Sequence, residues 1–419
     1  MAIEAASGLL LIAATAVALV WANSAWRDSY IELWHTPIGL QVGPWSFARP
    51  LHFWVNDALM TIFFFVVGLE IRCETYEGEL RDLRRAALPL AAALGGMLIP
   101  AAIFVAFNVG RAGSAGWGIP MATDIAFAVG VLTLLGKRVP ASLRTLLLAL
   151  AVIDDIGAIV VIAVFYSVGI SFWGLLVAAA GLGAAAVLRA IGVRPPLAYI
   201  VPGAVVWAGM YAAGIHPTLA GVLLGLATPA RSWFGLSGFA EATQEHLGGI
   251  EGADRPSLHQ RLADIETARR EAISPAERLQ HSIHPWVAFG VMPLFALANA
   301  GVPLGGADLS GDPLFLFLGI LFGLALGKPL GIFASSWIAT RTGVATPPAG
   351  GSSRGIAVVG IAGGIGFTMS LFIAQLAFPP GPLLDTAKLA ILIASAAAIA
   401  AGLLIGRFTL PPPSPSPET

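Results

Sequence analysis

The chain is written as long apolar stretches separated by short polar joints, and the length of those stretches decides what they can be. A membrane-crossing helix needs roughly 20 mostly apolar residues. Runs of this kind lie approximately at 8–25, 53–69, 86–107, 120–135, 145–167 and 171–188. They continue at 195–213, 216–227, 283–301, 314–339, 355–378 and 383–405, the run at 216–227 being the shortest. About twelve spans are therefore expected, in an all-α polytopic membrane protein with one transmembrane domain over 1–410. The first run has the apolar core of a signal peptide, but Met1, Ala2, Ile3 and Glu4 lack its basic leader, so it reads as a span.

Three segments fall outside this pattern. Residues 35–49 are rich in Gly, Pro and aromatic side chains with some alternating apolar positions, which predicts a small extracytoplasmic β-hairpin. Residues 239–280 mix Glu and Arg and read as a cytoplasmic connector too short to be a domain. The Pro/Ser-rich tail, 411–419, is expected to be disordered.

Composition agrees with a lipid environment. The 419 residues are 57% hydrophobic and 11% charged, with mean hydropathy +0.82, whereas soluble domains carry about 25% charged residues. A net charge of −1 argues against nucleic acid as a partner. Cys73 is the one cysteine, which excludes an intramolecular disulfide and a thiolate metal cluster. The 49 Gly and 29 Pro are ordinary for helices packed in a membrane.

Basic residues set the orientation. Alternate joints hold Arg72, Arg81, Arg84 and Arg85, then Lys137, Arg138 and Arg144, then Arg189 and Arg194, Arg231 through Arg278, Arg341, Arg354 and Arg407. The opposite joints and span ends hold Arg27, Arg49, Arg111 and Lys388. Cytoplasmic loops are the basic ones, so the first set and both termini are expected in the cytoplasm.

The candidate chemistry lies inside the spans. A charge at mid-membrane costs about 2.5–3.5 kcal/mol on insertion scales and usually serves a function. Asp57, Asp124, Asp154, Asp155 and Lys328 lie in such positions, and Glu70 lies near a cytoplasmic span end. Neighbours on a helix point about 100° apart, so Asp154 and Asp155 face different surroundings. Pairing for stability is one reading, though an apolar pair would cost less. The other is a carboxylate that holds either a proton or a metal cation, the minimum machinery of an antiporter. Lys328, in Leu326-Gly327-Lys328-Pro329, needs either a carboxylate partner, helix C-terminal carbonyls or a route to the interface.

Two spans carry interruptions. Pro120-Met121-Ala122-Thr123-Asp124 combines a proline, a hydroxyl and an acid, and Gly360 to Thr368 is rich in glycine. Each falls in the middle of a three-span group, spans 3–5 and 10–12. This predicts inverted repeats with two broken helices crossing at the midplane; close small-residue packing is the alternative for the glycines.

The residues at these positions closely resemble the NhaA-type bacterial sodium/proton antiporters. The resemblance rests on Ala122-Thr123-Asp124-Ile125-Ala126-Phe127 and on Ala149 to Ala158 around Ile153-Asp154-Asp155-Ile156. It also rests on Asn56-Asp57-Ala58-Leu59-Met60, Val67-Gly68-Leu69-Glu70, His284-Pro285-Trp286-Val287 and Phe295 to Gly301, which contains Asn299. Gly327-Lys328-Pro329-Leu330-Gly331 and Gly364-Ile365-Gly366-Phe367-Thr368-Met369-Ser370 complete it, from the second span to the eleventh.

The resemblance implies that Asp155 is the principal cation ligand and proton carrier. It implies that Asp154 pairs with Lys328 when the cation is absent, and that Thr123 and Asp124 lie where two unwound chains cross. Asp124 would offset helix N-termini and Lys328 C-termini. Asp57, Asn299 and Thr368 are further intramembrane polar positions. A pH-response region would include Glu70, Arg72, Glu74, Glu277, Arg278, His281 and His284. There Glu277, Gln280 and Cys73 depart from the familiar pattern, so the pH threshold need not match. The implied activity is electrogenic export of cytoplasmic Na+ or Li+ for external H+, pH-regulated, by a homodimer in the bacterial inner membrane, with no cofactor.

Competing readings have separate signatures. A potassium/proton antiporter or sodium-coupled solute carrier on this scaffold would differ in cation preference, and a passive channel would show flux without proton coupling. An intramembrane aspartyl protease needs two aspartates from separate helices sharing a proton, and no Gly-x-Gly-Asp segment occurs.

Overall fold

The structure is a computed structural model of the full chain. It describes residues 2–43, 45–167, 169–193, 195–232, 239–240, 244, 255–305, 309–348 and 352–410. The tail at 411–419 and Arg194 lie outside these residues, as does part of the connector at 239–280.

Helix α1 (Ala2–Ala22) is followed by α2 (Arg27–His35), bent away from it by 113°. Strands β1 (Pro37–Val42) and β2 (Trp45–Pro50) then pair antiparallel, Pro37 opposite Pro50 and Val42 opposite Trp45. The expected hairpin at 35–49 is present. Arg49 holds it to a later helix: its guanidinium donates to the Tyr211 hydroxyl at 2.5 Å and lies 5.5–5.9 Å from the ring centres of Phe47, Phe53 and Tyr211.

Helix α3 (Leu51–Tyr76) contains a π-helical turn at Trp54–Leu59. Helix α4 (Leu83–Asn108) keeps Pro89 and Pro100 inside it. A 3-10 helix (Ala112–Met121) and α5 (Ile125–Leu134) form one broken span bent by 46°. Helices α6 (Ala141–Phe165), α7 (Phe172–Ala190) and α8 (Pro196–Ala213) follow. The expected span at 216–227 is the nine-residue α9 (Leu219–Ala227), shorter than a membrane crossing. It packs tightly on α3, because a Cβ on Gly68 would lie 2.7 Å from the Val222 carbonyl and one on Gly225 2.6 Å from that of Phe65.

The second half begins with α10 (Arg255–Ala272), inside the polar connector. Helix α11 (Pro275–Asn299) is capped by the Ser274 hydroxyl, which accepts from the Glu277 N–H at 3.2 Å, and it has a π-helical turn at Val287–Val291. Helix α12 (Asp312–Arg341) has another at Gly323–Gly327, directly before Lys328. Helices α13 (Ser353–Gly363) and α14 (Phe367–Ala377) form the second broken span, bent by 45°, and α15 (Pro382–Thr409) ends the bundle.

Among the described residues, eight helices are long and apolar enough to cross a membrane, or up to eleven if each bent pair is one span. With α9 added, the twelve expected runs all correspond to helical segments. Apolar side chains also cover the outer surface: Leu98, Val164, Trp173, Val201 and Leu330 are each more than half exposed. Such a surface suits lipid and would be a liability in water.

Candidate functional site

The two broken spans meet backbone to backbone. At the first break the Asp124 N–H donates to the Ile365 carbonyl of the second at 2.7 Å. Each break exposes unpaired N–H groups on one side and unpaired carbonyls on the other, which lipid cannot satisfy. The buried polar side chains supply the missing partners.

Asp124 is 1% exposed and caps α5, accepting from the Phe127 N–H at 3.2 Å. Its second oxygen accepts from the Thr368 N–H at 3.1 Å and from the Thr368 hydroxyl, in the first turn of α14. One carboxylate therefore serves the N-termini of both half-helices, where a negative charge is favoured.

The carbonyl ends are served differently. The Lys328 ammonium, 0% exposed, donates to the Met121 carbonyl at the C-terminal end of the 3-10 helix and to Asp154 Oδ2. The Thr123 hydroxyl lies 2.5 Å from the same Asp154 oxygen and 3.0 Å from the Gly363 carbonyl at the end of α13. It has one proton for these two acceptors. Asp154, Thr123, Lys328, Asp124 and Thr368 thus form one cluster from four different segments.

Asp155 stands apart. It is 2% exposed, and among the described residues its carboxylate makes no hydrogen bond, although Glu70, Asp154, Lys328 and Asp124 all act on it electrostatically. The 100° between neighbours turns one acid into the ion pair and leaves the other without it.

The remaining candidates lie elsewhere. Asp57 sits in the π-helical turn of α3 and meets His216 Nε2 at 3.3 Å. Asn299 ends α11 and bonds to Asn56, Gln375 and His52. Glu70 is half-buried on α3; with Glu74 and Glu277 it lies within electrostatic range of Cys73, between α3 and the start of α11. Glu74 accepts from the Glu79 N–H at 3.1 Å. Arg72 is on α3 in this region, and Arg278, His281 and His284 lie in the first turns of α11.

Sequence reasoning passed over His52, His216 and Gln375, and quoted Asn56 only within the resemblance. His216 and Gln375 stand alone in apolar runs; His52 and Asn56 begin a span where polar groups are unremarkable. Only the packing of helices far apart in sequence brings them together.

Fold and site define a multi-pass membrane protein in which two interrupted spans cross and their ends are neutralised by buried charges. The description Na+/H+ antiporter 1 belongs to the family whose profile matches residues 1–405, and the chain is a member of that family. It is 55% identical over 413 residues to a protein of Myxococcus xanthus named Na(+)/H(+) antiporter NhaA 2, covering 97% of this chain and 88% of that one. A Sorangium cellulosum protein of the same name is 55% identical over 416 residues, with 98% and 89% covered. Na(+)/H(+) antiporter NhaA of Bordetella petrii is 49% identical over 415 residues, with 96% and 88% covered.

Proposed function

We propose that this protein exports cytoplasmic Na+ or Li+ in exchange for external H+, by alternating access at Asp155. The carrying observation is the division of labour between adjacent acids: Asp154 is engaged by Lys328 and Thr123, while Asp155 is buried without a hydrogen bond among the described residues. A carboxylate in that condition binds a proton or a small cation in turn, and cannot remain ionised and alone in lipid.

In this mechanism a cation entering from the cytoplasm displaces a proton from Asp155. The group of helices that contains the crossing then rocks, the cation leaves on the far side, and protons reload. Asp154 and Lys328 take part in proton coupling by parting when the cation binds. More than one proton then moves per cation, and membrane potential drives the cycle. Thr123, Asp124 and Thr368 position the crossing and contribute polar oxygens near the cation, while Asp124 and Lys328 offset the helix ends. Glu70, Arg72, Glu74, Glu277, Arg278, His281 and His284, at one end of α3 and α11, form the pH-responsive entrance. We further assign one transmembrane domain over 1–410, both termini in the cytoplasm, the bacterial inner membrane as location, and a homodimer as the working unit.

The test is sodium-induced proton movement in everted membrane vesicles. Asp155→Asn is expected to abolish it, while full activity in that variant would remove Asp155 from its role. Comparing Na+, Li+ and K+ in the same vesicles separates this reading from potassium/proton exchange.

A further inference from the structure

Three side-chain amides close a ring at the end of the bundle that carries the β-hairpin. Asn56 Nδ2 donates to Gln375 Oε1, Gln375 Nε2 donates to Asn299 Oδ1, and Asn299 Nδ2 donates to Asn56 Oδ1 at 2.8 Å. Each amide gives one bond and takes one around the ring, and each comes from a different helix: α3, α14 and α11. His52 adds a contact to Asn299 Oδ1 at 2.9 Å. Asn56 and Asn299 are buried, at 7% and 0% exposure, and Gln375 is half-buried.

The same three helices form a second layer beneath the ring. Phe372 on α14 lies 5.3 Å from Phe64 on α3 and 6.3 Å from Phe295 on α11, with His216 also at 5.3 Å. All three phenylalanines are at most 1% exposed. On α14, Thr368, Phe372 and Gln375 fall at i, i+4 and i+7, which is one face of a helix. One stripe therefore joins the Asp124 crossing, through Thr368, to an aromatic layer and then to the amide ring.

Helix α14 belongs to the repeated group that contains the crossing, whereas α3 and α11 lie outside it. We propose that the Asn56–Gln375–Asn299 ring is a latch on the extracytoplasmic side, with Phe372 as the plug beneath it, and that the path outward opens only when the ring breaks. This rests on the alternating-access reading, because a group that rocks against α3 and α11 must give up bonds made across that boundary. The three amides are positioning residues: they hold α14 and touch neither of the transported ions. An uncharged ring suits this task, since its bonds exchange for bonds to water as the path floods, with no charge left buried.

The experiment uses the full-length protein with Cys73→Ser and a reporter thiol from Met60→Cys. Met60 is 0% exposed and lies one turn from both Asn56 and Phe64. In right-side-out vesicles a charged, membrane-impermeant thiol reagent is added from outside. Gln375→Leu is expected to raise the labelling rate about ten-fold, the scale set by losing a net hydrogen bond or two in a two-state equilibrium. An unchanged rate would overturn the latch.

A second arm needs no weakened variant. Asn56→Cys with Gln375→Cys, bridged by a short reducible bis-thiosulfonate, should lose sodium-driven proton movement while bridged and regain it on reduction. Full exchange in the bridged protein would also overturn the latch. If the unmodified protein shows no sodium-driven proton movement, the antiport reading fails, and the labelling comparison still decides whether the ring closes this path.

Discussion

At the scale of single residues, the centre of this protein is an exercise in charge compensation. Removing one member of a buried ion pair leaves the other uncompensated, at about 3–5 kcal/mol. Lys328→Met should therefore lower thermal stability in detergent markedly, while Lys328→Met with Asp154→Asn should recover much of the loss. Equal destabilisation of the single and double variants would mean that the pair is not coupled. Much of this cluster was legible before the fold was known, because ionisable residues inside apolar runs are rare and usually functional. What could not be read was which acid takes the lysine: that depends on the phase of α6 against α12, and the family resemblance supplied it. The amide ring was less legible still. An Asn at a span end or a Gln in an apolar run costs little alone, so Asn56 and Gln375 stand out only once their helices touch.

At the scale of elements, the same logic separates what periodicity shows from what it hides. Long apolar runs announced the spans, and glycine and proline announced both breaks. The run that forms α9 was already the shortest, but the π-helical turns in α3, α11 and α12 left no such mark, since they follow from how helices dock. Docking of α4 on α12 turns on Gly95 and Gly331, whose backbones approach so closely that a Cβ on either would run into the other's carbonyl oxygen. Gly331→Val should therefore cost at least the 1–3 kcal/mol typical of overpacking, read as a lowered unfolding temperature. Gly130→Ala is the contrast. It lies within α5 with open space around a Cβ, and should be neutral or add about 0.5–1 kcal/mol. If both variants behaved alike, backbone proximity would not be the determinant.

At the scale of the whole molecule, the proposed competition for one site would tie transport to pH. Acid fills the carboxylate with a proton, and the cation must displace it. Where the site is mainly protonated, each unit of acidification should weaken the apparent sodium affinity about ten-fold for one competing proton, and about a hundred-fold for two. The maximum rate at saturating sodium should change much less. Sodium titrations of proton movement across a pH series measure both quantities. A KM independent of pH, with only the maximum rate changing, would place regulation outside the site.

The crossed arrangement also has a consequence for how the chain is made. Neither half completes its own broken helix: the Met121 carbonyl waits for Lys328, 207 residues later, and Asp124 waits for Thr368, 244 residues later. During synthesis the first half must enter the membrane with Asp124 bonded to the Phe127 N–H and Asp154 to the Thr123 hydroxyl, but with neither acid yet met by its partner from the second half. Separately expressed halves, divided after residue 240, should accumulate together and be degraded singly. Survival of the first half alone would show that some other group shelters its charges.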